Sequence, residues 1–223
     1  MLTKGAISGA VFGLAAAFSA SVASAAVIDF TSASTGHTGT IAGSSVTWTM
    51  TSNGVLNNSQ AFDGATAPSV PGLSFQTDGY GVGKNDDEIT TTATKQEWIN
   101  VSFSAPVLVN AFYFLDLFIS KDLQTWEVAQ ASINGGAPYS ITATDVITGN
   151  PANRASGFAG LTFKPIYATS IRFTILSSND AYGFADGALA GIGLAPIPVP
   201  AAGALMLGGL GGLAALRRRK KAA

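Results

Sequence analysis

The chain has no cysteine and a single histidine, His37, among its 223 residues. Without cysteine there is no disulfide, no thiolate nucleophile and no thiolate ligand for zinc. One histidine rules out a multi-histidine metal site. A serine–histidine–acid triad would have to be built on His37, which sits in Thr35-Gly36-His37-Thr38-Gly39. That is turn-like surroundings, and no nucleophile-elbow sequence supports it. Charge is scarce, at 11% of residues. No stretch of the middle shows the apolar period of an amphipathic helix. What is present is two unusual ends and a middle rich in turns and alternating residues.

Met1-Leu2-Thr3-Lys4 is a short, positively charged start, followed by an apolar core over 7–18 that is too short to span a bilayer. Ala23 and Ala25 place small residues at the two positions a signal peptidase reads. This order predicts a secretory signal peptide over 1–25, cut after Ala25; the alternative is a buried N-terminal helix. At the other end a Pro-rich linker and motif over 195–200 leads into an apolar, Gly-rich segment over 201–216 and a basic tail over 217–223. The apolar segment is about the minimum that crosses a bilayer core. Arg217, Arg218, Arg219, Lys220 and Lys221 favour leaving its end in the cytoplasm. The expected course is export, a transient inner-membrane intermediate, and a middle that faces outward.

Ile197-Pro198-Val199-Pro200-Ala201, the run ending Gly208-Gly209-Leu210-Gly211-Gly212-Leu213-Ala214-Ala215-Leu216, and the basic tail together resemble a PEP-CTERM sorting signal. The variant they resemble is VPLPA-CTERM, from which Ile197 and Val199 depart conservatively. The resemblance covers only this C-terminal segment. It implies processing by an exosortase, a transpeptidase-like membrane protease that removes the tail and releases the protein or transfers it to the cell surface. It also implies a Gram-negative bacterium that makes exopolysaccharide, and hence biofilm. The alternative is a permanent single-span anchor carrying an adhesin.

Of the twelve cations, Lys4 and the five of the tail belong to the ends. Six remain in the middle against all thirteen acids, a net of −7. So acidic a domain argues against nucleic acid and anionic lipid as partners and suits divalent cations. Residues 26–194 are enough for one buried core. Alternation of apolar and polar residues over 46–51, 99–104 and 171–175 predicts half-buried strands. The nearly continuous apolar run over 107–118 predicts a central strand covered on both sides, or a strand that ends in a loop. Further strands are expected over 27–30, 126–133, 139–145, 157–163 and 188–194. Asn53-Gly54, Asp63-Gly64, Asp78-Gly79 and Asn134-Gly135-Gly136 read as turns. Residues 31–45 and 52–72 read as long polar loops. The fold class is therefore all-β, an antiparallel β-sandwich of jelly-roll type. The stretches Gly79-Tyr80-Gly81-Val82-Gly83, Asp86-Asp87-Glu88-Ile89 and Ala188-Leu189-Ala190-Gly191-Ile192 loosely resemble the β-sandwich domains that precede such sorting tails. That resemblance implies a jelly roll like that of carbohydrate-binding modules, with no ligand assigned.

Asp86, Asp87 and Glu88 form the densest acidic cluster, beside Asn85, Gly81 and Gly83. Calcium takes six to eight oxygen ligands, and such a loop offers several. Calcium is thus a candidate cofactor, with Asp116 and Asp186 as more distant donors; the plainer reading is a solvated acidic loop. Trp126 and Tyr139, and also Tyr80 and Tyr182, are candidate sugar platforms, against the alternative of ordinary packing. Asp116, Asp122, Glu127 and Glu97 are the carboxylates from which a polysaccharide hydrolase would draw its pair. The expectation is a non-enzymatic protein of the extracellular matrix or exopolysaccharide layer, with polysaccharide and the exosortase as partners. The hydrolase and the anchored adhesin are the alternatives.

Overall fold

The computed structural model describes residues 26–120, 125–146, 155–176 and 184–196. The expected signal peptide, sorting motif, apolar segment and basic tail lie outside the described residues, as do Asp122 and Tyr182. Among the described residues there is no α-helix. The strands are β1 (Ala26–Asp29), β2 (Thr38–Thr40), β3 (Thr47–Ser52), β4 (Leu56–Asn57), β5 (Gly81–Val82), β6 (Thr91–Thr92) and β7 (Ile99–Leu115). They continue with β8 (Phe118–Ile119), β9 (Val128–Ile133), β10 (Tyr139–Thr142), β11 (Asp145–Val146), β12 (Ala159–Ile175), β13 (Phe184–Ala185) and β14 (Ala188–Leu194).

Eight strands hydrogen-bond into one sheet, in the order β1-β14-β7-β12-β9-β10, with β3 also on β7 and β2 on β3. Its pairings are antiparallel, whereas the short β8–β11 pair is parallel. The 17-residue strands β7 and β12 organise the whole. Over 99–103 the free edge of β7 takes β3, and over 109–115 the same edge takes β14.

The strands expected over 99–104 and 107–118, and over 157–163 and 171–175, leave gaps that contain Pro106 and Pro165. The structure runs through both. Pro106 lies between the Ser102–Ser170 and Val107–Ala168 pairs, where the register shifts. Pro165 lies in the second shift, between Thr162–Ala111 and Ile166–Val109. Each proline sits where the ladder is already interrupted, so neither costs a bond. The apolar run over 107–118, by contrast, ends as a strand at Leu115, because Asp116 adopts φ +56° and turns the chain.

Alternation places Ile99, Val101 and Phe103 inward on β7 and Ile171, Phe173 and Ile175 inward on β12. Past the bulge near Asn110, Phe112 and Phe114 take over on the same side. Phe173 meets Phe112 edge-on at 5.4 Å and Phe114 at 5.9 Å between ring centroids. Phe30 likewise meets Trp48 at 5.4 Å. On the opposite face Leu115, Ala188 and Ala190 carry a smaller apolar cluster with Phe62, Leu73 and Phe75 packed on it. The stretch expected to be a polar loop over 52–72 therefore closes over one end of the sheet; its few aromatic and aliphatic residues outweigh its polar average. At the margin, β1 pairs with β14 so that Ala26 lies beside Leu194.

Phe173 is fully buried. Truncating it removes ring contacts from both neighbouring phenylalanines and leaves a cavity, so Phe173→Ala is expected to cost about 3–5 kcal/mol. Denaturant melts of the two proteins measure this, and an unchanged midpoint would mean that the inward face is misassigned.

Candidate metal centre

Three turn or strand-end aspartates, Asp63, Asp78 and Asp116, each bring a carboxylate oxygen within 4.8 Å of one from both others. Asp63 and Asp78 belong to the two Asp-Gly turns of the sequence, and the Asp63 N–H donates to Asp78 Oδ1 at 3.3 Å. Asp116 is put there by the left-handed turn that ends β7. Its N–H donates to Ser156 O, and the next N–H, of Leu117, donates to Gly157 O. Gly157 must be glycine, since its φ is +58° and a Cβ would sit 2.6 Å from Asp116 Cα. Asp78 and Asp116 are 6% and 8% exposed.

Glu88 and Asp186 extend this group. The Glu88 carboxyl is pushed well above the carboxylate range, first by burial and then by Asp186, Asp116, Asp86 and Asp87 around it. The strand edges that carry the two run side by side, with Ile89 N–H donating to Gly187 O at 2.8 Å. Glu127 follows. It accepts from the N–H of Phe118 at 2.8 Å and of Asp186 at 3.2 Å. Burial, Asp186 and a proton shared with the Asp186 carboxylate push it up to about 9. Buried acids of one sign without compensation must hold protons or a cation.

The sequence-predicted cluster is only partly brought together. Glu88 turns toward Asp116 and Asp186. Asp86 caps its own loop by accepting from the Glu88 N–H at 3.2 Å. Asp87, 2% exposed, accepts from Gln60 Nε2 at 2.6 Å through Oδ1, while its buried Oδ2 has no hydrogen-bond partner. Its carboxyl is pushed up by burial, with Asp86 and Asp63 adding to the effect. Gly81 lets this loop lie backbone on backbone, because a Cβ there would overlap Asp87. Thr77 Oγ1, adjacent to Asp78, is also buried without a partner. Asp63 and Asp78 escaped the sequence reading because Asp-Gly reads as turn chemistry; the available signal was that two such turns occur close together.

All these donors are hard oxygens, with no nitrogen or sulfur. That set suits calcium or magnesium rather than a transition metal. The spacing of Asp63, Asp78 and Asp116 is one that a cation with metal–oxygen distances of about 2.3–2.6 Å bridges. An ion held there would neutralise the mutual repulsion and tie the turns at 63 and 78 to the end of β7.

Of the sequence-predicted aromatics, Trp126 is 52% exposed, one residue before Glu127. Tyr139 packs instead, stacking on Phe163 at 4.6 Å and edge-on to Phe112. Tyr80 is a core residue whose hydroxyl donates to Thr35 O at 2.7 Å, so its position beside a turn does not make it a platform. Glu97 is buried and serves its own hairpin, accepting from Lys95 Nζ at 2.5 Å and from the Thr90 N–H at 2.8 Å. His37 is exposed and lies edge-on to Tyr80.

No family model matches the chain, and no curated protein matches it. Among solved structures it is similar to the CBM32-5 module of CpGH89 from Clostridium perfringens, solved with GalNAc-β-1,3-galactose. That match has 14% identity and a TM-score of 0.30 over 64% of this chain and 94% of that one. It is also similar to the CBM32-1 and CBM32-2 domains of Clostridium perfringens ZmpB in complex with GalNAc, at 15% identity and a TM-score of 0.33. Here 66% of this chain and 32% of that one are covered. A third is chitosan-binding module 1 of a Paenibacillus chitosanase/glucanase, at 17% identity and a TM-score of 0.25, covering 66% and 88%. At such scores neither fold details nor ligands carry over.

Millimolar calcium is expected to raise the melting temperature, and equal magnesium to raise it much less, because magnesium demands a tighter octahedral shell. At a hundredfold excess over the dissociation constant the gain is about 2.7 kcal/mol. Asp78→Asn with Asp116→Asn should abolish the response, while Asp86→Asn should leave most of it; calorimetry with both ions decides. In EDTA a second signature follows. Glu88 and Glu127 have folded pKa values above their unfolded ones. Their contribution is full below the unfolded values and is lost as pH rises through the folded ones. The metal-free melting temperature should therefore fall from pH 5 to about 9, and calcium should flatten that fall. A metal-free melting temperature that climbs with pH contradicts this.

Proposed function

We propose that this is an exported, surface-sorted, non-enzymatic protein of a polysaccharide-rich surface layer, built on a jelly-roll-like sandwich and stiffened by calcium. Export is supported by Ala23 and Ala25 after the apolar start. Sorting is supported by Ile197, Pro198, Val199, Pro200 and Ala201 with the apolar segment and basic tail. The partners are then an exosortase-type protease, the inner membrane in passing, and polysaccharide.

One observation carries the non-enzymatic part. The acids that converge are spent on the fold: Asp78 and Asp116 are buried, and Glu127 is held by two backbone N–H groups. A glycosidase needs two carboxyl groups flanking a sugar, with one free to give a proton and the other to attack or activate water. Trp126 supports polysaccharide contact, since an exposed indole offers a broad apolar face and an N–H donor. The raised Glu127 beside Asp186 is the one feature that favours a hydrolase instead.

Intact-mass analysis of protein recovered from the surface or medium should give a chain that begins at Ala26 and lacks Arg217 to Lys221. A mature product retaining the basic tail removes the sorting claim. Incubation with neutral and acidic polysaccharides should release no reducing ends. Release that Glu127→Gln abolishes would install the hydrolase.

A further inference from the structure

The outer face of the main sheet is covered at one end by residues 62–75 and is bare at the other. On the bare part, six strands lie in the order β2-β3-β7-β12-β9-β10. Their directly opposed residues form cross-strand rows on that face. One row runs Thr38, Thr49, Ser102, Ser170. The next runs Thr51, Asn100, Arg172, Ser132. A third joins Thr174, Gln130 and Ser140. All of these are exposed or half-exposed, while the neighbours of Thr49, Asn100, Ser102, Gln130, Ser132, Arg172 and Thr174 on β3, β7, β9 and β12 are core. Over 38–40, 47–51, 99–104, 128–132, 139–142 and 170–174 the outward positions hold hydroxyl and amide side chains, one valine (Val128), one cation (Arg172) and no carboxylate; Lys164 and Tyr167 lie farther along β12. Arg172 lies 4.4 Å over the ring of Trp98, at the edge of the face.

Such a surface is unusual within a domain of thirteen acids and six cations. Solvated sheet faces use charge to resist association. A face of short side chains whose one charge, Arg172, lies over Trp98 loses little rotamer freedom and sheds little ionic hydration when covered. Six strands about 4.8 Å apart make it roughly 24 Å wide, and the strands present about 13 Å of length. That is a few hundred Å², well short of the ~800 Å² per partner of a stable protein interface. The area and the lack of charge fit a narrow, uncharged, hydroxyl-rich chain rather than a second copy of this protein.

We propose that this face docks a neutral polysaccharide, with the threonine, serine, asparagine and glutamine rows exchanging hydrogen bonds with sugar hydroxyls. The proposal rests on the polysaccharide reading above and adds a second surface, distinct from Trp126.

Affinity electrophoresis of the exported protein through gels containing hydroxyethylcellulose, dextran, galactomannan or alginate tests it. Retardation is expected in at least one neutral gel, equally at low and high salt, because no ion pair is involved. Ser102→Glu and Thr51→Lys should each weaken it by about tenfold, since either charge must be dehydrated on docking. Thr162→Glu, at the far end of β12, should not weaken it. Melting curves confirm that each variant is folded. Neutral-gel retardation that survives both charged variants overturns the face and leaves the polysaccharide reading standing. Retardation by alginate alone, lost with salt and strengthened by Thr51→Lys, overturns the neutral ligand. A dimer in sedimentation that Ser102→Glu dissolves overturns it in favour of a second copy. A parent protein retarded by none of the four gels overturns both readings.

Discussion

Too many carboxylates converge for the space they share, and the loops of this domain depend on how that is resolved. Asp63, Asp78, Glu88, Asp116, Glu127 and Asp186 come from separate turns and strand ends, and most of them are shielded from water. Left ionised they repel, and protonated they give up strong ligand chemistry. A divalent cation bound there would resolve this and make acids that otherwise drive the loops apart hold them together. With no cysteine, the chain has no disulfide to serve instead. The aromatic core under β7 and β12 supplies most of the burial, and it touches the acid-bearing loops through Tyr80, Ile89 and Leu117.

Much of the architecture was legible because alternation is a local signal. Thr47-Trp48-Thr49-Met50 and Ile171-Arg172-Phe173-Thr174-Ile175 state their inward and outward faces outright, and β14 has the bounds read for it. The gaps expected within β7 and β12 did not form, because a proline's missing donor matters only where a ladder bond would form. Whether Pro106 and Pro165 sit at a shift depends on the partner strand. Val107 to Leu115 shows the same limit: the inward residues change parity near Asn110, and no local pattern predicts a bulge set by two neighbours.

The acidic centre was half legible. Asp86, Asp87 and Glu88 stand out because they are contiguous, and contiguity is what a sequence displays. Yet consecutive side chains on an extended loop point in different directions, so Glu88 lies near Asp116 and Asp186 while Asp87 lies near Gln60 and Asp63. Asp63, Asp78 and Asp116 are assembled by the closing of residues 62–75 over the sheet and by a left-handed turn at a strand end. Neither has a signature beyond Asp-Gly and an aspartate ending an apolar run. The aromatics divide similarly. Tyr139 and Tyr80 lie where turns were expected, but a ring beside a turn is free only if the sheet beneath has no use for it.

The pairing of β1 with β14 also fixes how the domain is presented. Ala26 and Leu194 are neighbours at one end of that pair, while Ala188 pairs with Leu115 next to Asp116 at the other. Seven residues of strand separate the two ends, roughly 20 Å. A tether that continues from Leu194 therefore grips the domain at the pole opposite its acidic loops. Those loops, with Trp126 beside them, would then point away from whatever the chain is attached to, and a pull on the tether would enter the sheet at its margin before reaching the acidic loops.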